Sequence, residues 1–355
     1  MTVATRQLSE QERAFIARMP KAELHIHIEG SVRPETLLDL GRRQGIAFPF
    51  ADPAGARAWF TFRDFPHFIE VFVATKNALK TPDDYARITR ELAEDAARQR
   101  IRYLELTFSP ALLGATGPHA SGEVILAGLR EGARDALRLH DVRLQFICDP
   151  VRGRPVEAVE DLARWCGIEV GNPPEPYRGA FEIARRGGAR VTIHAGETDG
   201  PASVWSALGV GTERIAHGVR AIEDPRLVRE LADRGVVLEV APTSNLRLGV
   251  YPDYAAHPYR ALHEAGCQLT INSDDPPMFG TTLTDEYLAL AAHQGFTVDD
   301  LAAASLRAMG AAFLPPAERE ALIQAAAREL ADLRAEIFGQ AAPCGVADPS
   351  PAGEG

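Results

Sequence analysis

Lysine is nearly missing from this chain of 355 residues: Lys21, Lys76 and Lys80 are all it has, so 35 of its 38 basic side chains are arginine. No mechanism that needs a lysine beyond position 80 is open to it. Cysteine is scarce as well, and the four that occur (Cys148, Cys166, Cys267, Cys344) stand far apart with no CxxC pair. That spacing excludes a disulfide scaffold and a thiolate zinc site. There is no run of about 18 apolar residues to cross a membrane as a helix. Met1 to Glu12 has no apolar segment behind a basic one, so no secretory signal is expected. Lys/Arg-rich runs are absent too. With 49 acidic against 38 basic residues the net charge is −11, which repels a phosphate backbone and leaves nucleic-acid binding without support. What remains, 46% apolar and 25% charged, is the balance of a soluble globular protein, expected in the cytoplasm.

Short apolar runs alternate with longer helical patterns, which predicts repeated strand–helix units and a parallel sheet. The runs are 22–27, 101–108, 142–148, 167–170, 190–194, 214–217, 236–240 and 268–272. Helical patterns lie between them at 34–44, 82–98, 123–140, 156–165, 176–186, 201–208, 225–234 and 254–265. Several carry Pro in the first turn, where its missing N–H costs nothing. Eight such units match a (β/α)8 TIM barrel. An open doubly wound sheet would want a Gly-rich phosphate turn after the first strand, whereas that run ends His25-Ile26-His27. A helix-like insertion at 47–80 follows the first strand and holds Trp59, Phe60, Phe62, Phe65, Phe68 and Phe72. It is either a lid over the barrel mouth or a self-packed hairpin. Further helical patterns come after the eighth strand, at 282–293, 298–308 and 316–338. One domain is expected over 1–338, followed by a disordered tail, 339–355, rich in Gly, Pro and Ala.

The strands that end in chemistry are the informative ones. The first ends His25-Ile26-His27, the fifth His194-Ala195-Gly196-Glu197, the sixth His217-Gly218 and the eighth Asn272-Ser273-Asp274-Asp275-Pro276. Strand C-termini of a (β/α)8 barrel converge on one mouth, where active sites sit. Residues i and i+2 of a strand share a face, so His25 and His27 can grip one ion. With His194 and Asp274 they make three imidazoles and a carboxylate, a set suited to Zn²⁺ and accepted by Fe²⁺ and other divalent ions. A lone HxH at a strand end is more often structural than functional; four chemistry-bearing ends on one expected barrel are hard to explain that way. Such an ion lowers the pKa of a bound water from near 16 toward about 7. Glu197 is placed to protonate a ring nitrogen, with a pKa raised by burial for that role. His217 is placed to take a proton from the water. Asp275 can meet another ring nitrogen or cap the segment after it. His67, His119, His140, His257, His263 and His293 lie on helical or loop patterns and read as surface or satisfied core.

The segments Leu24–Ser31 (LHIHIEGS), Thr192–Glu197 (TIHAGE), Arg214–Gly218 (RIAHG), Pro242–Asn245 (PTSN) and Ile271–Pro276 (INSDDP) resemble the signature series of the adenosine deaminase family, in family order and spacing. Tyr103–Pro110 (YLELTFSP) resembles that family's second strand, and the likeness runs from about Pro20 to Leu330. It implies a (β/α)8 barrel with one zinc ion per subunit and hydrolytic loss of a 6-amino group from an adenine ring as ammonia. Carried over by motif, His25, His27, His194 and Asp274 match the zinc ligands. Glu197 matches the acid that protonates N1, His217 the residue that orients and deprotonates the water, and Asp275 the partner of N7. Gly171 matches the glycine whose backbone N–H meets N3.

Two departures lie in the expected pocket. Glu29 stands where adenosine deaminases proper carry the Asp that holds the ribose 5′-hydroxyl, and Asn172-Pro173-Pro174-Glu175-Pro176 replaces the usual acidic stretch. Relatives with the Glu variant include adenine deaminases and enzymes that deaminate aminodeoxyfutalosine, a menaquinone precursor. The LTFSP block favours a nucleoside over the free base, and adenine remains the alternative. Other classes were weighed on residues. A binuclear amidohydrolase would want a modified lysine at the end of the fourth strand, where none exists, and a phosphoesterase would want more His ligands and a mouth cation, for which Arg247 is the one obvious candidate. A non-catalytic purine-binding protein would be expected to have lost one of these groups. Oligomeric state is not legible.

Overall fold

In the computed structural model, which describes residues 5–109, 122–149, 156, 159–160, 167–169 and 174–339, the apolar runs form one sheet of eight parallel strands in chain order. They are β1 (Lys21–His27), β2 (Ile101–Phe108), β3 (Arg143–Cys148), β4 (Gly167–Glu169), β5 (Val191–Ala195), β6 (Arg214–His217), β7 (Val237–Val240) and β8 (Gln268–Ile271). Every residue of β1, β6 and the last three of β7 and β8 is buried, as expected where helices cover a parallel sheet.

The helices in chain order are α1 (Glu10–Arg18), α2 (Pro34–Gln44), α3 (Pro53–Trp59), α4 (Phe65–Lys76), α5 (Pro82–Arg98), α6 (Gly122–His140), α7 (Arg178–Arg186), α8 (Pro201–Gly209), α9 (Pro225–Arg234), α10 (Pro242–Arg247), α11 (Tyr259–Glu264), α12 (Pro276–Phe279), α13 (Leu283–Gln294), α14 (Val298–Ala311) and α15 (Pro316–Phe338). The insertion after β1 is the pair α3 and α4. Helix α1 was not anticipated from the polar N-terminal stretch; Ser9 and Glu12 start it with a reciprocal capping box. The pattern at 254–265 yields helix only from Tyr259, because Pro258 occupies the N-cap and disfavours helical backbone before it. The pattern at 176–186 opens with a 3-10 turn, Glu175–Tyr177, before α7. Most of the 156–165 pattern, Gly171 and the tail from residue 340 lie outside the described residues.

The seam between β8 and β1 is built differently from the other seven. One bridge joins Ile26 to Asp274, with His27 N donating to the Asp274 carbonyl at 2.9 Å and Asp274 N to that of His25 at 3.3 Å. Lower down, β1 slips register between Glu23 and Ile26. There the N–H groups of Leu24 and His25 both donate to one side-chain oxygen, Asn272 Oδ1, at 3.0 and 3.1 Å. A bulge leaves two consecutive donors without ladder partners, and Asn272 supplies the acceptor. Beneath it, Ala22, Leu24 and Tyr103 pack with Ala308, Met309, Ala312 and Leu314. The last turn of α14 and the residues after it thus plug the barrel at the end opposite the His-rich mouth. No described helix is long and apolar enough to cross a membrane.

Candidate active site

The strand ends bring the expected side chains together. His25, His27 and Asp274 form one trio of close donor atoms, and His25, His194 and His217 and then Glu197, His217 and Asp274 form two more, each within 4.8 Å. His25 Nε2 and His27 Nε2 lie 3.3 and 3.4 Å from the same oxygen, Asp274 Oδ1. The His194 ring centre is 4.7 Å from that of His25 and 5.4 Å from that of His27. Buried imidazole nitrogens turned on one carboxylate oxygen fit a divalent cation of the zinc type. Holding them costs backbone strain: Asp274 and His217 adopt φ of 65° and 64°, a left-handed conformation rare outside glycine that clusters at functional sites.

Behind the ligands stands a ring of buried charge. Glu239 on β7 faces His25 Nδ1 at 3.5 Å through Oε2, while its Oε1 pairs with Arg214 Nε on β6 at 2.5 Å. Arg214 also bridges to Glu105 on β2 and lies 3.5 Å above the Phe313 ring. Glu105 in turn accepts from Tyr103 Oη at 2.7 Å. A carboxylate on the far nitrogen of a ligand histidine fixes its ring orientation.

The remaining groups line one cavity of about 370 Å³, in which Glu197, His217 and Asp275 share the lining with the apolar Phe65, Phe68, Ile69, Phe72 and Leu248 and with Ser109 and Asp149. Helix α4 is therefore part of the cavity, with Phe68 stacked on Phe279 at 5.4 Å. Asp275 is buried, and Gly30 is what admits it, since a Cβ there would lie 1.5 Å from Asp275 Oδ1. That oxygen has no hydrogen-bond partner among the described residues. Burial first, and then the neighbouring Asp274, pushes the Asp275 carboxyl well above the usual range. Asp274 goes the other way: against its burial, the hydrogen bond from His25 and the surrounding imidazoles hold it well below. Burial pushes His217 far below an ordinary imidazole, with His25, His194 and His27 adding to the effect and Asp274 opposing it.

Glu29 is placed behind the cavity wall. It is 1% exposed, accepts from Ser109 N at 3.0 Å and lies 3.9 Å from Lys76 Nζ, while Lys76 also donates to the Ser109 carbonyl. Ser109, not Glu29, is the surface the cavity meets there. Sequence reasoning passed over Asn245 and His257. Asn245 stands within PTSN and has no role in the sequence reading; His257, expected as surface or satisfied core, is 3% exposed and bonded through Asn245 to His217.

Comparison with known proteins adds a family to this geometry. The family model described as "Adenosine deaminase" matches residues 20–328. A curated aminodeoxyfutalosine deaminase from Streptomyces coelicolor is 35% identical over 85% of this chain and 82% of its own. An adenine deaminase from Rhizobium leguminosarum bv. trifolii is 38% identical over 86% and 98%. Among solved structures, an amidohydrolase from Burkholderia ambifaria with bound zinc superposes with a TM-score of 0.83 at 27% identity, covering 96% of this chain and 99% of that one.

Proposed function

The chain belongs to the adenosine deaminase family and is a hydrolase of C–N bonds in cyclic amidines, and from that premise we propose that it removes the 6-amino group of an adenine-containing nucleoside, with zinc as its metal. The observation that carries this reading is the convergence of His25, His27, His194 and Asp274 on the cavity that also holds Glu197, His217 and Asp275. Bound there, a zinc ion supplies a Lewis acid that makes water nucleophilic at neutral pH. Glu197 gives its proton to N1 and so draws electrons away from C6, Asp275 meets N7, and His217 orients the attacking water. The apolar wall of α4 excludes bulk water, which strengthens each of these polar contacts.

Two features favour a nucleoside. Besides the reacting groups, the cavity is lined by Phe65, Phe68, Ile69 and Phe72 and by two hydrogen-bonding side chains, Ser109 and Asp149. A bare ring has no use for either. The aminodeoxyfutalosine relative keeps that substrate in view beside adenosine. Free adenine is the second reading, favoured by the adenine deaminase that matches along 98% of its length. An ammonia-release assay on zinc-loaded protein with adenosine, aminodeoxyfutalosine and adenine side by side ranks the three by kcat/KM. A nucleoside is expected to lead; adenine in front overturns that choice, and no turnover of any of the three overturns the reading itself.

A further inference from the structure

A chain of four hydrogen-bonding groups leads away from the catalytic mouth, and one end of it cannot be turned round. Tyr259 opens helix α11, and its backbone N–H donates to His257 Nδ1 at 3.2 Å. A backbone N–H has no other role to play, so His257 Nδ1 carries no proton and the proton of this neutral ring sits on Nε2. Burial favours the same neutral form, pulling His257 down to about 3. His257 Nε2 lies 3.1 Å from Asn245 Oδ1, which makes that contact N–H to O=C and fixes which way the Asn245 amide points. The amide nitrogen then faces His217 Nδ1 at 3.2 Å. An amide NH₂ only donates, so His217 Nδ1 is the acceptor and the single proton of neutral His217 lies on Nε2. That nitrogen points into the mouth, 3.7 Å from Glu197 Oε1 and 3.8 Å from Asp274 Oδ2.

We propose that Asn245 and His257 are positioning residues that lock His217 in its Nε2–H tautomer, so that His217 holds the attacking water by donating a hydrogen bond and does not take a proton from it. The inference rests on the deaminase reading above and changes the part His217 plays in it. The proton that the water releases goes to Glu197, whose carboxyl lies 3.7 Å from His217 Nε2. Glu197 first gives its own proton to ring N1 and becomes an anion; it then accepts the water proton as the C–O bond forms at C6. It returns that proton to the amino nitrogen as the C–N bond breaks and ammonia leaves, and it then takes the remaining hydroxyl proton as the 6-oxo group forms, which restores the acid. Protons balance with one shuttling carboxyl, and no second base is needed.

The tautomer can be read without any substrate. In zinc-loaded protein labelled with ¹⁵N-histidine, His217 should show a protonated Nε2 and an unprotonated Nδ1, and His257 the same pattern. A protonated Nδ1 on His217 overturns the proposal and leaves the deaminase reading untouched. Asn245→Asp supplies the opposite instruction, because a carboxylate accepts from both rings and draws the His217 proton to Nδ1. We expect that variant to bind zinc normally, to show the inverted ¹⁵N pattern, and to lose at least tenfold in kcat with KM little changed. An Asn245→Asp protein with the inverted pattern and undiminished kcat refutes the donor role. Should that variant fail to fold, the wild-type spectrum still decides the tautomer.

Discussion

Glu197 carries the heaviest chemical load of any single side chain in this reading. Glu197→Gln keeps the size of the group and removes its exchangeable proton, and general acid–base groups contribute roughly 10²–10⁴-fold. The variant should hold zinc at wild-type stoichiometry and lose about that factor in kcat; steady-state kinetics with near-normal turnover would remove Glu197 from the proton path. Glu286 tests a different kind of residue, a buried carboxyl away from the mouth. Burial raises it to about 7 from 4.5, against hydrogen bonds from Thr243 and Thr281 that favour the anion. A carboxyl raised in the folded state contributes stability that is present below about pH 4.5 and lost as the pH climbs through about 7. In Glu286→Gln that fall should disappear, flattening the unfolding free energy by up to about 3 kcal/mol across the window. Urea titrations in chelator at several pH values measure it, and parallel curves for the two proteins would refute the assignment.

At the scale of elements, the first strand and the turn after it do most of the positioning. The register slip in β1 between Glu23 and Ile26 makes an irregular segment stitched to Asn272. His25 lies within the slip and His27 past it, and the two rings still meet on one carboxylate oxygen, Asp274 Oδ1. Directly after them, Gly30 lets Asp275 approach its backbone. Gly30→Ala forces a Cβ into the carboxylate, and overpacking of this kind costs about 1–3 kcal/mol. The expected result is a lower Tm together with a fall of tenfold or more in kcat/KM, since the carboxyl proposed to meet N7 is the group displaced. A stable variant with full activity would show that Asp275 is free to move and is not held for recognition. Helix α4 was legible as an aromatic insertion, and its Phe spacing gave its helical character. That it forms a cavity wall was not legible, because the other lining residues stand just after β2, β3 and α10, far away in the chain.

For the molecule as a whole, the proposed ligands come from β1, β5 and the segment after β8, so a bound metal would be thermodynamically linked to the fold. Zinc present at 100 times its Kd adds about 2.7 kcal/mol to the folded state. Stripping it with chelator should therefore lower Tm by several degrees, and restoring zinc should recover the loss. Thermal scans that coincide with and without metal would place the ion outside the described cluster. The plug beneath the barrel connects to the same cluster. Residues 308–314 close the bottom, and the Phe313 N–H reaches Glu105 at 2.5 Å, which braces Arg214, Glu239 and finally His25.

The alternation of apolar runs and helical patterns, together with His, Glu and Asp at the ends of those runs, was enough for the sequence alone to specify a barrel, its mouth and the groups that gather there. Strand burial, repeated eight times, and strand-end chemistry, repeated four times, are local signals, and they survive errors of a residue or two at each boundary. Three things needed the folded chain: that Glu29 faces Ser109 N and not the cavity, that Asn272 closes the barrel at the β1 bulge, and that His257 speaks to His217 through Asn245. Each is a contact between residues 12 to 248 positions apart. No periodicity encodes such a contact, because its direction is set by how the strands close on one another and by which way a single side chain turns once they have.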